Sequence, residues 1–543
     1  PPLNFFIINF FTFTLFFLFL MKKNEKTRSL IFFLYGWSFG FGYFIINLYW
    51  ISISLTFDKD FKFLIPLTIF LIEAKNSNKS ELIFFLYGWF FGLGYFICSL
   101  YWISISLTFD NNFKFLIPIS IICIPAFISI FFGIATLITK FFLSQKKIIS
   151  SVLIFSLVLS IIEYIRGIVL SGFPWNLIAY SFSNQTEFIQ INSLVGIYGF
   201  NLLCITLFSI PAIWFIKKSK KNIYCIFIVG ILVISNLIYG YVSLNNLSIK
   251  SDKNNINIVT ISTKVSLERF YSSNVDEYSI IQNLVKLSDP KRYFGKKTIF
   301  VWPEGVLPLT NMNNINSYKE IFSKNFDKDH FILIGLNREV NLDGKTEYYN
   351  SIAVIDNQSN VIDYYDKRKL VPFGEFLPLD NVLSLIGLKS LTNNYQSYTK
   401  GKDKKAILNF EDINLKLLAT ICYEIIYAGT LNNNLDYDLI INISEDGWFG
   451  NSIGPYQHYA HSKFRSIEQG KTLIRAANNG ISAIINPSGK IKSLIDLEET
   501  GLIYTNEIKH KFTFFGKFGN KMYFGLIFIY IFLLFSIRRL DHE

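Results

Sequence analysis

LKLLATICYE (415–424) and LIINISED (439–446) read as two short apolar strands, the first ending in Cys422, Tyr423 and Glu424 and the second in Glu445 and Asp446. Similar runs surround them: INIVTIS (256–262), TIFVWPE (298–304), FILIGLN (331–337), YNSIAVID (349–356) and ISAIINP (481–487), with a helical pattern near 275–288. Strands alternating with helical segments imply a layered α/β sheet. In open α/β sheets chemistry collects at the carboxyl ends of strands. Glu304, Cys422 with Glu424, and Glu445 with Asp446 stand at three such ends.

This α/β segment runs from about 247 to 510, is rich in Asn, Asp, Lys and Ser, and holds no run able to span a membrane. The rest of the chain is of another kind. Over 543 residues, 51% are hydrophobic, 17% are aromatic and the mean hydropathy is +0.35, which excludes both a single soluble domain and a disordered chain. Apolar runs mark nine candidate spans at 3–20, 29–56, 60–72, 82–107, 113–139, 149–170, 189–216, 223–243 and 522–537. Most are long enough for a hydrocarbon core of ~30 Å. The loops alternate strictly. Lys22, Lys23, Lys26 and Arg28 follow the first run, Lys75 and Lys79 the third, Lys140, Lys146 and Lys147 the fifth, and Lys217, Lys218, Lys220 and Lys221 the seventh; Arg538 and Arg539 close the chain. The loops between are balanced or acidic, and 171–188 carries no Lys or Arg. This pattern places the basic loops in the cytoplasm and the segment 245–520 outside. It also explains the formal charge of +12 without nucleic acid, since many lysines sit in short loops rather than on one soluble face.

The chain starts with Pro-Pro, and the count puts residue 1 outside, as if one earlier span were missing. Its first run is not a signal peptide, because the lysines follow the apolar stretch. Residues 29–67 recur at 81–119 with an offset of 52, and 31 of 39 positions are identical. Transporter repeats are weaker in sequence and cover whole halves. The near-identity reads as recent duplication of a two-span hairpin without new function.

Five cysteines exclude a disulfide scaffold, and four of them lie in expected spans. Cys422 is the one cysteine in the outer segment. A thiol nucleophile needs a base for its proton and donors for the oxyanion formed on attack. His458 and His461 are spaced i,i+3 in QHYAH, but no further ligand cluster accompanies them, and the simplest reading is a polar helix face. A carboxylate serves as base when burial raises its pKa. Glu304 ends an apolar strand behind Pro303, and Lys367 lies in the aromatic, Pro-rich YYDKRKLVPFGEFLPL (364–379), which suits a firmly held counter-charge. Such chemistry requires no metal or cofactor.

Glu304 in WPE, Lys367 in YDKRKL and Cys422 in ICYE resemble, in order and spacing, the Glu-Lys-Cys triad of the nitrilase superfamily. VPFGEFLPL (371–379), CYE (422–424), DGWFGNSIGPYQH (446–458) and RAANNGISAIINPSG (475–489) narrow the resemblance to the apolipoprotein N-acyltransferase family. GFPWNL (172–177), LYWI (48–51 and 100–103) and the span carrying Glu163 and Arg166 do the same. Two departures stand out: Glu445 precedes Asp446 where the family usually has Asn, and a Trp common early in the domain is replaced near Phe270.

The resemblance implies a polytopic α-helical membrane protein with an extramembrane, nitrilase-like αββα domain. Its parts would be a multi-span region at 1–245, a periplasmic catalytic domain at 246–512 and a last helix at 520–538, all in a bacterial inner membrane. It implies acyl transfer from a phospholipid donor, through a Cys422 thioester, to the diacylglyceryl-cysteine of an apolipoprotein. Glu304 would act as base and Lys367 as oxyanion partner. Glu375 would orient Lys367 or assist proton transfer. Tyr423 and Glu424 would shape the pocket, Asn350 would be a further site residue, and Phe173, Pro174 and Trp175 would anchor the outer interface. Three alternatives stand beside it. A nitrilase-type amidase would not need so many spans. A transporter with an inert outer domain would carry charges inside its spans, where Glu163 and Arg166 are evident. The third is a decayed, duplicated enzyme.

Overall fold

Lipid offers no hydrogen bonds, so apolar runs fold into helices that satisfy their own backbone. The computed structural model describes residues 6–21, 80–144, 147–216, 218–245, 256–272, 274–342, 345–378, 397–402, 406–429 and 436–540. Its first helices are α1 (Phe6–Met21), α2 (Ser80–Leu100), α3 (Ile117–Lys140), α4 (Ile148–Arg166), α5 (Asn192–Ser209) and α6 (Lys220–Asn245). Among the described residues six helical stretches are long and apolar enough to cross a membrane: Glu81–Thr108, Asn111–Lys140, Ile148–Arg166, Phe188–Ile216, Lys220–Leu244 and Lys521–Arg539. The expected spans at 29–56 and 60–72, and the first copy of the repeat, lie outside the described residues.

The second copy supplies α2 and only the first residues of α3, and these two helices form a close hairpin. Gly88 and Gly92 make it possible: a Cβ on Gly88 would stand 2.2 Å from the Phe132 carbonyl oxygen. Trp89 Nε1 donates across the pair to the Ala126 carbonyl at 2.9 Å. The expected span at 149–170 stops early, at Arg166, and the chain turns through Leu170 (φ 62) and Gly172 (φ 73). Arg166 causes the turn by drawing the following loop back over the helix end. Its Nη1 donates to the carbonyls of Phe173 and, at 3.0 Å, Trp175, while Nη2 stands 3.6 Å from Glu163. The buried pair thus fixes a loop, which accounts for two charges inside a span.

The extramembrane part is two stacked sheets. One runs in the order β12 (Gly501–Thr505), β1 (Asn257–Ser262), β2 (Thr298–Val301), β3 (His330–Leu342), β4 (Lys345–Ile355), β5 (Val361–Asp366). The other runs β11 (Ile491–Ile495), β10 (Ser482–Ile485), β9 (Leu473–Asn478), β8 (Leu439–Glu445), β7 (Leu415–Ile421), β6 (Ile407–Phe410). In each, three central strands are parallel: β1, β2 and β3 in one, β7, β8 and β9 in the other.

Period-two alternation sorts the side chains of the first sheet. Ile258, Ile299 and Leu333 belong to the core shared with Leu417, Ile441 and Ile474 of the second sheet. Val259, Phe300 and Ile332 face the other way, packing with Ile281 and Leu284 of α7 (Glu277–Ser288) and Phe322 of α8 (Lys319–Asn325). Each such fully buried aliphatic or aromatic side chain contributes about 1.5–3 kcal/mol. On the far side of the second sheet lies α9 (Gly454–Gln469), followed later by α10 (Phe514–Phe518) and α11 (Lys521–Leu540).

The α9 helix is wedged between that sheet and the membrane helices. Phe464 meets the Tyr180 ring at 4.8 Å. Helix α5 kinks at Gly196 (φ 68), where a Cβ would strike the Phe515 ring. The kink frees the Ile197 N–H, and Glu468 Oε1 of α9 accepts it at 2.7 Å. Burial pushes the Glu468 carboxyl up to about 7, against the pull of Arg465.

Candidate active site

Parallel strands deliver their carboxyl ends to one edge, so the three strand-end candidates meet there although far apart in sequence. Strand β7 ends at Ile421, and Cys422 adopts φ 49, a left-handed conformation that costs a non-glycine residue on the order of 1–3 kcal/mol. The turn is held by Glu424, whose Oε2 accepts the Ile421 N–H at 2.9 Å. Its Oε1 accepts from Tyr365 Oη at 2.7 Å and from the Arg368 N–H at 2.8 Å. Burial raises the Glu424 carboxyl above its ordinary pKa, and these donors oppose that rise. Glu424 therefore braces the Cys422 turn against the segment that carries Lys367.

Glu304 follows β2 through Trp302 and Pro303. Its Oε2 accepts the Glu445 N–H at 2.9 Å, and its Oε1 accepts Asn350 Nδ2 at 2.7 Å and lies 3.5 Å from Lys367 Nζ. Asn350, on β4, spends its second amide proton on Glu375 Oε1, also at 2.7 Å. Lys367 Nζ donates to the same Glu375 oxygen at 2.8 Å. Glu375 is itself held by the Val371 N–H at 2.8 Å. Two carboxylates and one ammonium, bridged by one amide, thus form a buried unit at the sheet edge. Burial works against the Lys367 charge, but Glu375 and Glu304 outweigh it and hold the ammonium well above its usual range. The Cys422 thiol is pushed up by burial first and then by the Glu304 carboxylate, with Lys367 opposing. At neutral pH the thiol therefore rests protonated.

The strand end at Glu445 is built by a residue type that sequence reading left out. Arg269 donates to the Gly305 carbonyl at 2.8 Å, to the Ser266 carbonyl at 2.7 Å, and to Glu445 Oε2. It ties the Glu304 turn of one sheet to the Glu445 end of the other. Burial raises the Glu445 carboxyl, and Arg269 opposes this. Arg269 also lies 4.3 Å over the Phe270 ring, which stacks on Trp448 at 5.3 Å.

Two expectations need correction. His458 and His461 are not on a solvated helix face; they are 0% and 1% exposed. The reason is the wedge position of α9, which leaves it no free side. Trp175 is not an interfacial anchor either. It is 1% exposed, and its Nε1 donates to Gln457 Oε1 of α9 at 2.8 Å, beside Trp102, which donates to the same oxygen at 3.0 Å. Tyr423 also reaches across, its hydroxyl donating to the Gly172 carbonyl at 3.1 Å. LYWI at 100–103 and GFPWNL thus dock the membrane part onto the site. Gln457 and Arg269 were not singled out from sequence. Only Gln457 left a trace, adjoining His458 at the start of a helix rich in polar residues.

A family model of the apolipoprotein N-acyltransferase N-terminal domain matches residues 1–74 and 57–210. A carbon-nitrogen hydrolase model matches residues 299–508. An apolipoprotein N-acyltransferase of Rhizobium leguminosarum bv. trifolii is 32% identical over 429 residues, covering 77% of this chain and 79% of the relative. The chain belongs to the apolipoprotein N-acyltransferase family. A relative of the same name from Rhizobium etli is 30% identical over 489 residues, 87% of this chain and 90% of its own. Among solved structures, an amidase from Nesterenkonia sp. aligns at 13% identity with a TM-score of 0.33, over 50% of this chain and 94% of that one. The two N-terminal matches overlap at residues 57–74.

Proposed function

We propose that this protein transfers an acyl chain from a phospholipid to the α-amino group of a diacylglyceryl-cysteine at the N-terminus of an apolipoprotein. The observation that carries this reading is the buried Glu304, Asn350, Lys367 and Glu375 unit beside Cys422, in a chain of this family. Glu304 takes the Cys422 proton as sulfur attacks the sn-1 ester carbonyl. Lys367 and neighbouring backbone N–H groups stabilise the oxyanion. Collapse breaks the C–O bond, the proton passes from Glu304 to the leaving alkoxide, and a lysophospholipid departs from a thioester. The acceptor amine then attacks the thioester and gives a proton to Glu304. The C–S bond breaks, and that proton returns to Cys422. Two half-reactions through one covalent intermediate make the kinetics ping-pong. Glu375 and Asn350 hold Lys367 and Glu304 in place. We assign residues 1–245 to the membrane region, 246–512 to the catalytic domain and 520–538 to the closing helix, in a bacterial inner membrane with the domain on its periplasmic face.

The test is incubation of the purified full chain with phospholipid labelled in the sn-1 acyl chain, followed by a diacylglyceryl-cysteine peptide. A hydroxylamine-sensitive label on wild type, absent from Cys422→Ala and chased onto the peptide, is the expected result. Equal labelling of Cys422→Ala would overturn the nucleophile. Release of free fatty acid at the same rate with and without peptide would favour a hydrolase.

A further inference from the structure

The first turns of α9 hold a histidine that the steps above do not use. His458 Nε2 lies 3.1 Å from the carbonyl oxygen of Cys422 itself. Its Nδ1 lies 2.9 Å from Asp446 Oδ1 and 3.2 Å from Arg475 Nη2. Both ring nitrogens are therefore committed, neither of them to the thiol. The partners are held in turn. Asp446 Oδ1 accepts Ser444 Oγ at 2.7 Å, and its Oδ2 accepts Arg475 Nη2 at 2.6 Å. Arg475 Nη1 reaches Asn442, whose Nδ2 donates to Thr420 Oγ1 at 3.2 Å. Trp175 packs on the His458 ring at 5.4 Å, and Phe449 packs edge-on at 5.5 Å.

A carbonyl clamp matters here because Cys422 sits in a left-handed conformation that its own backbone does not favour. The Cys422 C=O and the Tyr423 N–H belong to one planar peptide unit, so fixing the oxygen also fixes the direction of that N–H. We propose that His458 is a positioning residue for acyl transfer: its Nε2–H clamps the Cys422 carbonyl and sets both the aim of the thiol and the adjoining backbone donor. Gln457, one residue earlier, binds the indoles of Trp102 and Trp175, so the same helical turn ties the nucleophile to the membrane helices. The inference rests on Cys422 being the nucleophile.

Two substitutions separate a clamp from a merely structural histidine. The amide of His458→Gln reaches the position of Nε2 and keeps a donor for the Cys422 carbonyl. His458→Asn reaches only the position of Nδ1 and keeps Asp446 alone. The rate of acyl-enzyme formation should fall on the order of 10²-fold in His458→Asn, as expected for an ångström-scale misplacement, and by less than about 10-fold in His458→Gln, with the KM for phospholipid unchanged in both. Equal losses in two well-folded variants, or no loss in His458→Asn, would overturn the clamp. A measurement on the wild type decides the matter if a variant fails to fold. The ¹⁵N spectrum of histidine-labelled protein should show a proton on His458 Nε2, and an unprotonated Nε2 rules the bond out. Cys422→Ala run alongside keeps the two readings apart. Acyl-enzyme surviving in it overturns the nucleophile, whereas its loss there with both His458 variants at the wild-type rate overturns only the clamp.

Discussion

Helices α6 and α9 invert the usual relation between composition and burial. Helix α6 is apolar, yet Phe227, Ile228, Leu232 and Ile238 stand exposed on it. Helix α9, GPYQHYAHSKFRSIEQ, is mostly polar, yet 14 of its 16 residues are buried. An apolar helix in a membrane protein needs no protein cover because lipid supplies it. A polar helix can be buried where partners meet its polar groups, and several such groups of α9 find them on both sides. Lys463 Nζ donates to the Ser183 carbonyl at 2.7 Å, Ser466 Oγ to the Asn486 carbonyl at 2.5 Å, and Glu468 caps the α5 kink. One helix is held by its solvent, and the other joins two parts of the molecule.

That contrast can be broken at graded cost. The largest effects belong to the site that α9 supports. Glu304→Gln should lower acyl transfer by on the order of 10²–10⁴, and Lys367→Met by 10²–10³. Lys369→Met, two residues on, should stay within a few-fold of wild type in the same assay. Equal defects at Lys367 and Lys369 would undo the assignment.

Next is the buried ion pair of α9. Arg465 Nε and Glu468 Oε2 stand 2.9 Å apart, both side chains fully buried. Glu468→Ala leaves the guanidinium uncompensated and should destabilise by about 3–5 kcal/mol. Thermal unfolding in detergent measures this, and Glu468→Ala combined with Arg465→Met should recover part of the loss.

Gln457→Leu is expected to be milder. It orphans the buried Trp175 indole N–H, at about 1–3 kcal/mol, while Trp102 keeps its bond to the Ser99 carbonyl at 3.0 Å. Activity should fall with the phospholipid KM little changed, because the docking of the membrane part is loosened rather than the acyl site removed. A Gln457→Leu variant with wild-type stability and activity would show that the tryptophans dock without it.

At the small end, Phe227→Leu or Ile231→Leu on α6 should shift stability by no more than about 0.5 kcal/mol. A larger shift would mean that α6 faces protein rather than lipid. Deletion of residues 30–81, one 52-residue period, should likewise leave an active, membrane-inserted enzyme, because it joins Ser29 to Leu82 in the register of the two copies. Well-inserted but inactive protein would show that both copies are needed, as a transporter built from matched halves requires.

Local pattern made much of this legible. Runs such as LIINISE and TIFV declare buried parallel strands because both faces are apolar, and the spans declare themselves by length. The strands missed from sequence, VIDYYD (361–366), ILNF (407–410), IKSLI (491–495) and GLIYT (501–505), lie toward the sheet edges, where half-exposure dilutes the apolar signal. The residue types of the site were also legible, through strand-end carboxylates, a lone domain thiol and the family motifs. Sequence neighbours alone determined these features, since periodicity is a property of adjacent residues. Only the tertiary structure decided that the Glu445 N–H orients Glu304 across 141 residues, that Asn350 bridges two carboxylates, and that QHYAH is buried. Sheet register and the wedging of α9 against the membrane helices create those contacts, and no local pattern encodes which distant surface a polar side chain will meet.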